Sequence, residues 1–314
     1  MSVDLTYRYR LGFDTFAGIP QGSIEDVAVG VHAVFGVAMQ SPAGRRAGAS
    51  AGPTAIREAA AESVMPYRNQ GDGAMVNLHT GTQTRLAHQP MVIDLGDVQG
   101  CELAGPGPLA RVEKLAAAID ARSGVPVLLG GDHVLQGALL RGLVRRDRRL
   151  AFIMLTNTLD ACGDLLIPGA RLDECLRDSV VIGLNGFQNE RSWHRLREAG
   201  GQQIPADHIH ASGLNQVQLA VQRLNQSGCA VCVLIDLEVI DSGFAAGTPG
   251  VDIGGLTPAL FLALIDCLAT IENLAGLSVV NCAPTLDARG HSEHLAAQAL
   301  LKILGAFMFE RAEG

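Results

Sequence analysis

His133, Asp160, Asp236 and Glu238 are the side chains best suited to chemistry in this chain, and each stands at or just beyond the end of an apolar run. His133 closes Gly130-Gly131-Asp132-His133 after the run 125–129. Asp160 closes Thr156-Asn157-Thr158-Leu159-Asp160 after the run 151–155. Asp236 and Glu238 lie in Leu234-Ile235-Asp236-Leu237-Glu238. One imidazole and three carboxylates converging from three strand ends outline a site for a divalent metal ion. Thr156 and Thr158 stand where the strongest ligands of such a site belong, and both are neutral. Strand alternation would put 156, 158 and 160 on one face and would align Asp236 with Glu238. Gly-Gly-Asp-His also has a plainer reading, a helix N-terminus capped by Asp132.

The elements that must position these residues alternate along the chain. Apolar, β-rich runs lie near 27–39, 91–96, 125–129, 151–156, 179–184, 230–236 and 276–282. Helical patterns lie near 53–64, 109–122, 134–146, 189–199, 212–226, 257–272 and 292–311. Such alternation predicts an α/β fold: a mostly parallel sheet with right-handed crossovers and helices on both faces, a three-layer α/β/α arrangement. Thr257-Pro258 opens one helix with an N-cap residue and Pro at the first helical position. Segments 40–53, 65–90, 161–172 and 241–256 are rich in Gly, Pro and polar residues and are expected as long loops at strand ends, where open α/β sheets hold ligands. No repeat or linker divides the 314 residues, so one domain is expected over 1–314, with 1–26 as an N-terminal extension.

Composition excludes several classes of partner. A net charge of −8 argues against nucleic acid and anionic membrane. No apolar run approaches the roughly 20 residues needed to span a bilayer, and residues 1–10 hold no apolar signal core, which predicts a cytoplasmic protein. The seven cysteines form no disulfide framework. Cys229 and Cys232 are three apart on a strand and face opposite ways, so they are expected as buried thiols. His208 and His210 near a strand end, and His291 and His294 at the start of the last helix, are expected to be ordinary polar residues.

The ordered motifs resemble those of the arginase/agmatinase (ureohydrolase) family over about residues 30–310. The first pocket loop is echoed by Ala43-Gly44-Arg45-Arg46 and Gly52-Pro53-Thr54-Ala55-Ile56-Arg57. Asp94-Leu95-Gly96-Asp97 and Leu129-Gly130-Gly131-Asp132-His133 match family motifs in full. The family's Asp-Ala-His-x-Asp is here Thr156-Asn157-Thr158-Leu159-Asp160. Its Ser-x-Asp-x-Asp-x-x-Asp-Pro is here Leu234 to Ser242, and Gly247-Thr248-Pro249 with Gly254-Gly255-Leu256 completes the series. The resemblance implies an arginase-like fold, a trimer or hexamer, and guanidinium hydrolysis by two Mn²⁺ bridged by hydroxide. It sets one ion against His133, Thr156, Asp160 and Asp236, and the other against Thr156, Thr158, Asp236 and Glu238.

Two dications about 3.5 Å apart repel by roughly 19 kcal/mol at an effective dielectric near 20. With Thr at 156 the bridging carboxylate that would offset this is gone, and with Thr at 158 the second ion loses its imidazole. His133, Asp160 and Asp236 remain as ligands for one divalent ion, manganese first. The alternative is no metal and a hydrogen-bonded remnant. The family's guanidinium-binding Glu is here Asn281, its Gly-x-Arg is Gly183-Leu184-Asn185, and its proton-shuttling His has no counterpart in 161–172. Asn281 and Asn185 are therefore the expected substrate contacts. Two functions follow: a non-catalytic or altered homologue that binds a small molecule or assembles with a partner, or a single-metal hydrolase of a C–N bond with Glu238 or Asp241 as base.

Overall fold

The computed structural model describes residues 5–6, 15–40, 46–68, 74–77, 82–101, 105–145, 147–159 and 172–311 of the 314. Its strands are β1 (Leu5–Thr6), β2 (His32–Val37), β3 (Met75–Asn77), β4 (Thr82–Leu86), β5 (Val92–Val98), β6 (Val125–Gly130), β7 (Leu150–Leu155), β8 (Val180–Ile182), β9 (Gln202–Ile204), β10 (Ala230–Asp236), β11 (Leu274–Val280) and β12 (Phe309–Arg311). Its α-helices are α1 (Gly52–Arg68), α2 (Pro106–Asp120), α3 (Leu135–Leu143), α4 (Leu172–Leu176), α5 (Glu190–Glu198), α6 (Ala206–Ser212), α7 (Asn215–Ser227), α8 (Pro258–Leu268) and α9 (His291–Met308). The main sheet runs β1-β5-β2-β6-β11-β10-β7-β8-β9. All its pairings are parallel except that of β1, which lies antiparallel to β5 at the edge.

Parallel strands buried on both faces must be apolar throughout, and the central ones are. Every residue of β10 is buried. Val231, Val233 and Ile235 enter one core with α1 and α7–α9, while Ala230, Cys232 and Leu234 enter the other with α2–α5. The expected three layers are therefore present. Cys229 and Cys232 fall in opposite cores as their spacing predicts. The Thr257 hydroxyl accepts from the Leu260 amide and caps α8 as expected. Among the described residues no helix is long and apolar enough to cross a membrane.

Three expectations change. The segment 65–90, expected as a loop, holds β3 and β4, which pair antiparallel and join β12 in a separate small sheet. These strands are short and half-exposed or exposed, so they carry no apolar run. His208 and His210 lie within α6, where a side chain every 3.6 residues matters rather than strand alternation. Finally, Phe16, Ala17 and Ile19 of the expected N-terminal extension are buried in the core beside α1.

In the N-terminal half, α1 is fastened to the sheet by a buried Arg57–Asp94–Asp97 ion-pair cluster. Arg57 of α1, 5 % exposed, donates to both carboxylate oxygens of the fully buried Asp94 at 2.8 and 2.9 Å and to Asp97 at 2.6 Å. Asp94 also accepts the amides of Phe16 and Gly96 at 2.9 Å. Burial by itself would lower the Arg57 pKa, but the two carboxylates more than reverse this and hold it above its usual value. α1 begins against the ends of two central strands: a Cβ on Gly52 would lie 2.6 Å from the Cys282 carbonyl and 3.1 Å from that of Gly130. Arg57→Ala leaves a buried, uncompensated Asp94, so it is expected to lower stability by about 3–5 kcal/mol, read from the urea midpoint at constant slope.

His32 opens β2 at 3 % exposure and stacks on Phe307 with centroids 4.0 Å apart. Neither ring nitrogen reaches a hydrogen-bond partner. Burial drives its pKa down from 6.5 to about 4, against a smaller opposing pull from the Met91 and Gly30 carbonyls. The unfolded imidazole takes a proton below about 6.5, whereas the folded one resists until about 4. Stability from this site is therefore present at neutral pH and lost through that window, by at most about 3 kcal/mol. Stability curves of wild type and His32→Phe should diverge between pH 6.5 and 4, with the wild type the steeper; parallel curves would contradict the assignment.

Candidate functional site

Four adjacent strands, β6-β11-β10-β7, deliver the candidate residues at their C-terminal ends, where an open α/β sheet leaves room for a ligand. His133 follows β6, Asn281 follows β11, Asp236 ends β10, and Thr156 follows β7. The Gly130-Gly131 turn is what lets this happen. Gly131 donates to Val37, Asn281 donates to the Gly131 carbonyl at 2.8 Å, and a Cβ on Gly131 would meet the Met39 carbonyl at 1.9 Å. Only glycine permits that approach. Asp132 accepts the Val134 amide at 3.1 Å within the turn but does not cap α3, whose N-cap position is Val134 and carries no side-chain cap. The same Asp132 oxygen lies 3.3 Å from His133 Nδ1.

Asp236 is fully buried, and the hydrogen bonds described to its carboxylate come from neutral groups. Asn281 Nδ2 donates to Oδ1 at 2.9 Å and the Glu238 amide donates to the same oxygen at 3.0 Å. The Thr156 hydroxyl lies 3.2 Å from Oδ2. Thr156 and Asn281 are also fully buried. Asn281 sits at φ +60°, a left-handed conformation that Asn tolerates better than most residues. Its amide nitrogen, rather than its oxygen, must face the carboxylate, because two acceptors would repel.

At the described positions 156–158 and 236–238, the alternation expected along 156–160 and 236–238 does not hold. β7 ends at Leu155, and Thr156-Asn157-Thr158 turns back on itself, with the Thr158 amide 3.4 Å from the Thr156 hydroxyl. β10 ends at Asp236, and Glu238 lies in a 3₁₀ turn that Asp236 caps. Hydrogen bonds from side chain to local backbone compete with the extended strand at such ends. Glu238, 2 % exposed, accepts the Gly250 amide at 2.8 Å and so faces the loop 248–250. Arg46 clasps that loop from outside, with Nη2 2.7 Å from the carbonyls of Thr248 and Gly250. Asp241 spends both oxygens on the Gly243 and Gly254 amides, at 2.8 and 2.7 Å.

Asn185 is joined to this loop as well: its Nδ2 donates to Asp252 Oδ1 and to the Ile253 carbonyl, both at 2.8 Å. Asp252 was not foreseen from the sequence. Burial raises its pKa, Asn185 and Asn157 oppose that, and the nearby charges of Asp241 and Glu238 add to it. Gln188 was also missed. It bonds the Leu159 amide and the carbonyls of Asn157 and Asn185 at 2.8, 3.0 and 2.6 Å, stitching the end of β7 to that of β8. His210 Nε2 meets the Gly255 carbonyl at 3.0 Å and braces the loop from α6. A lone carboxylate in a glycine-rich loop was the one available signal for Asp252; neither Gln188 nor His210 carries a recognisable motif. A cleft of about 340 Å³ beside these residues is walled by Asn185, Gln188, Trp193, Gln203 and Asp207.

Asp160, residues 161–171 and residues 43–45 lie outside the described residues. Among those described, no group of three or more His, Cys, Asp and Glu side chains is disposed to hold a metal ion. Paired dications do not fit the described donors. Thr156 and Thr158 bring no charge to offset the repulsion, and Asn281, Glu238 and Thr156 turn their N–H and O–H groups onto the carboxylate that would have to bridge.

Known proteins place the chain clearly. The human mitochondrial guanidino acid hydrolase is 29 % identical over 291 residues, covering 88 % of this chain and 78 % of the relative. Proclavaminate amidino hydrolase from Streptomyces clavuligerus shares the fold at a TM-score of 0.72 and 22 % identity, over 93 % of this chain and 96 % of that one. Trypanosoma cruzi formiminoglutamase, a structure containing Mn²⁺, also superposes with a TM-score of 0.72 at 16 % identity, over 88 % of this chain and 92 % of that one. The arginase family profile matches residues 31–305, and the chain belongs to the arginase family.

Proposed function

We propose that this protein is an arginase-family member without two-manganese guanidine hydrolysis, which keeps the fold to bind a small molecule or to assemble with a partner. The observation that carries this reading is the charge balance at the strand ends. Thr156, Thr158 and Asn281 are neutral where the resemblance calls for ligands and for a cation-binding carboxylate. Among the described acids, Glu238 is engaged by Gly250 and Asp241 by Gly243 and Gly254. A guanidinium ion entering this site would lose hydration without gaining a paired charge at 281. The cleft beside Asn185 and Gln188, at about 340 Å³, is at the small end of ordinary ligand pockets, and its walls mix apolar residues with three side-chain amides, Asp207 and His208, which suits a small polar ligand. A trimer or hexamer is proposed on family membership.

Manganese content by elemental analysis after Mn²⁺ incubation and desalting tests this, together with urea release from guanidino acids and agmatine. Wild type is expected to hold at most one ion per chain and to release no urea. Thr156→Asp/Thr158→His/Asn281→Glu is expected to take up about two. Two ions and urea release in wild type would sink the proposal. One ion with release of ammonia from an amidine or amide would favour the second reading, a single ion on His133, Asp160 and Asp236 with Glu238 or Asp241 as base.

A further inference from the structure

We infer that Thr156, Asp236 and Asn281 form a buried clasp that takes over the structural task of a metal pair, so that the ends of β7, β10 and β11 are held together without any cation. Resting on the reading that paired metals are lost, the inference adds what replaced them and what that does to stability. Each member comes from a different strand end: Thr156 follows β7, Asp236 ends β10, and Asn281 follows β11. These strands are neighbours in the order β11-β10-β7, so the central carboxylate can be reached from both sides. Asn281 reaches Oδ1 at 2.9 Å and Thr156 reaches Oδ2 at 3.2 Å, one donor per oxygen, with the Glu238 amide added at 3.0 Å to Oδ1.

The clasp is directional in a way that a metal site is not. The Asn281 and Glu238 N–H groups point at the carboxylate, and the single Thr156 hydroxyl proton is shared between Asp236 at 3.2 Å and the Thr158 carbonyl at 3.3 Å, so positive dipole ends stand where a cation would have to stand. All three side chains are fully buried, which strengthens each bond and makes loss of any donor expensive. Asn281 is fixed from its backbone too, by its 2.8 Å bond to the Gly131 carbonyl. A neighbouring stitch extends the arrangement. Gln188 binds the turn after Thr156 to β8, and Asn185 binds β8 to the loop 250–254. Neutral side chains therefore link successive strand ends from β11 to β8.

The test is thermal unfolding of the whole chain in excess EDTA and in excess MnCl₂. Wild type should melt at the same temperature in both. Thr156→Val removes the donor at constant shape and should lower Tm by about 2–5 °C, equally in both buffers. Thr156→Ser keeps the hydroxyl and should stay close to wild type. Thr156→Asp sets a second carboxylate against Asp236, so it should melt well below wild type in EDTA and recover with Mn²⁺. Should that variant fail to fold, Val and Ser decide the matter. A wild-type Tm that rises with Mn²⁺, or a Val variant indistinguishable from wild type, overturns the clasp. Urea release with a metal-independent wild-type Tm would overturn the functional proposal while supporting the clasp.

Discussion

The buried carboxylate of Asp236 is the constraint around which the strand ends are arranged. It ends the central strand β10, fully removed from water, between β11 and β7. An ionised carboxylate moved from water into a medium of low dielectric loses solvation that only charge or several well-aimed donors restore. Three donors are supplied here, by a side chain from each flanking strand end and by the turn that Asp236 itself caps. Any change at 156 or 281 is therefore felt by the backbone of three strands, since the donors and the strand ends are the same residues. That coupling explains why Asn281 occupies a left-handed conformation, which sets the amide facing β10 while its own N–H closes onto Gly131.

Charge is handled differently in the two halves of the sheet. On the β5 side, Asp94 keeps a full cationic partner, Arg57, in a bidentate contact that fastens α1 to the sheet. Bidentate geometry and the extra amides from Phe16 and Gly96 satisfy every lone pair that burial leaves exposed to loss. On the β10 side the donors described are neutral. The first arrangement supports the scaffold and agrees with the family motif residue by residue. The second lies where the resemblance implies the chemistry, and 156, 158 and 281 are neutral there. The contrast is physical: scaffold residues answer to backbone geometry and packing, whereas site residues answer to the charge of what they hold.

Much of this was legible in the sequence. The long apolar runs gave the central parallel strands because a strand buried on both faces needs no polar alternation. Thr257-Pro258 gave the start of α8 through local capping chemistry. β9, β3 and β4 escaped because strands of three to five residues with few buried apolar positions lack a run to see. The facing of 156, 158 and 238 was misjudged for a different reason. Alternation extrapolates a strand beyond its last ladder bond, but Thr and Asp side chains bind the nearby backbone there and bend the chain. Gln188 and Asp252 act through partners far away in sequence, so no local pattern announces them.

The neutral site also bears on selectivity. A pocket discriminates strongly against a ligand when it leaves a buried polar or charged group unpaired. At a strand end where 281 is Asn, a guanidinium would find its would-be counter-charge absent, and the nearest buried carboxylate, Asp236, already engaged by Asn281 and Thr156. To bind there it would have to displace donors that are themselves buried, exchanging satisfied bonds for new ones at no net gain. An uncharged ligand asks for no counter-charge, and the adjacent cleft offers it polar walls that include Gln203, Asp207 and His208 without asking Asp236 to release its partners. On the proposed reading, loss of paired metals and loss of cation preference are a single electrostatic change, in which the strand ends supply the positive ends of dipoles in place of holding positive charge.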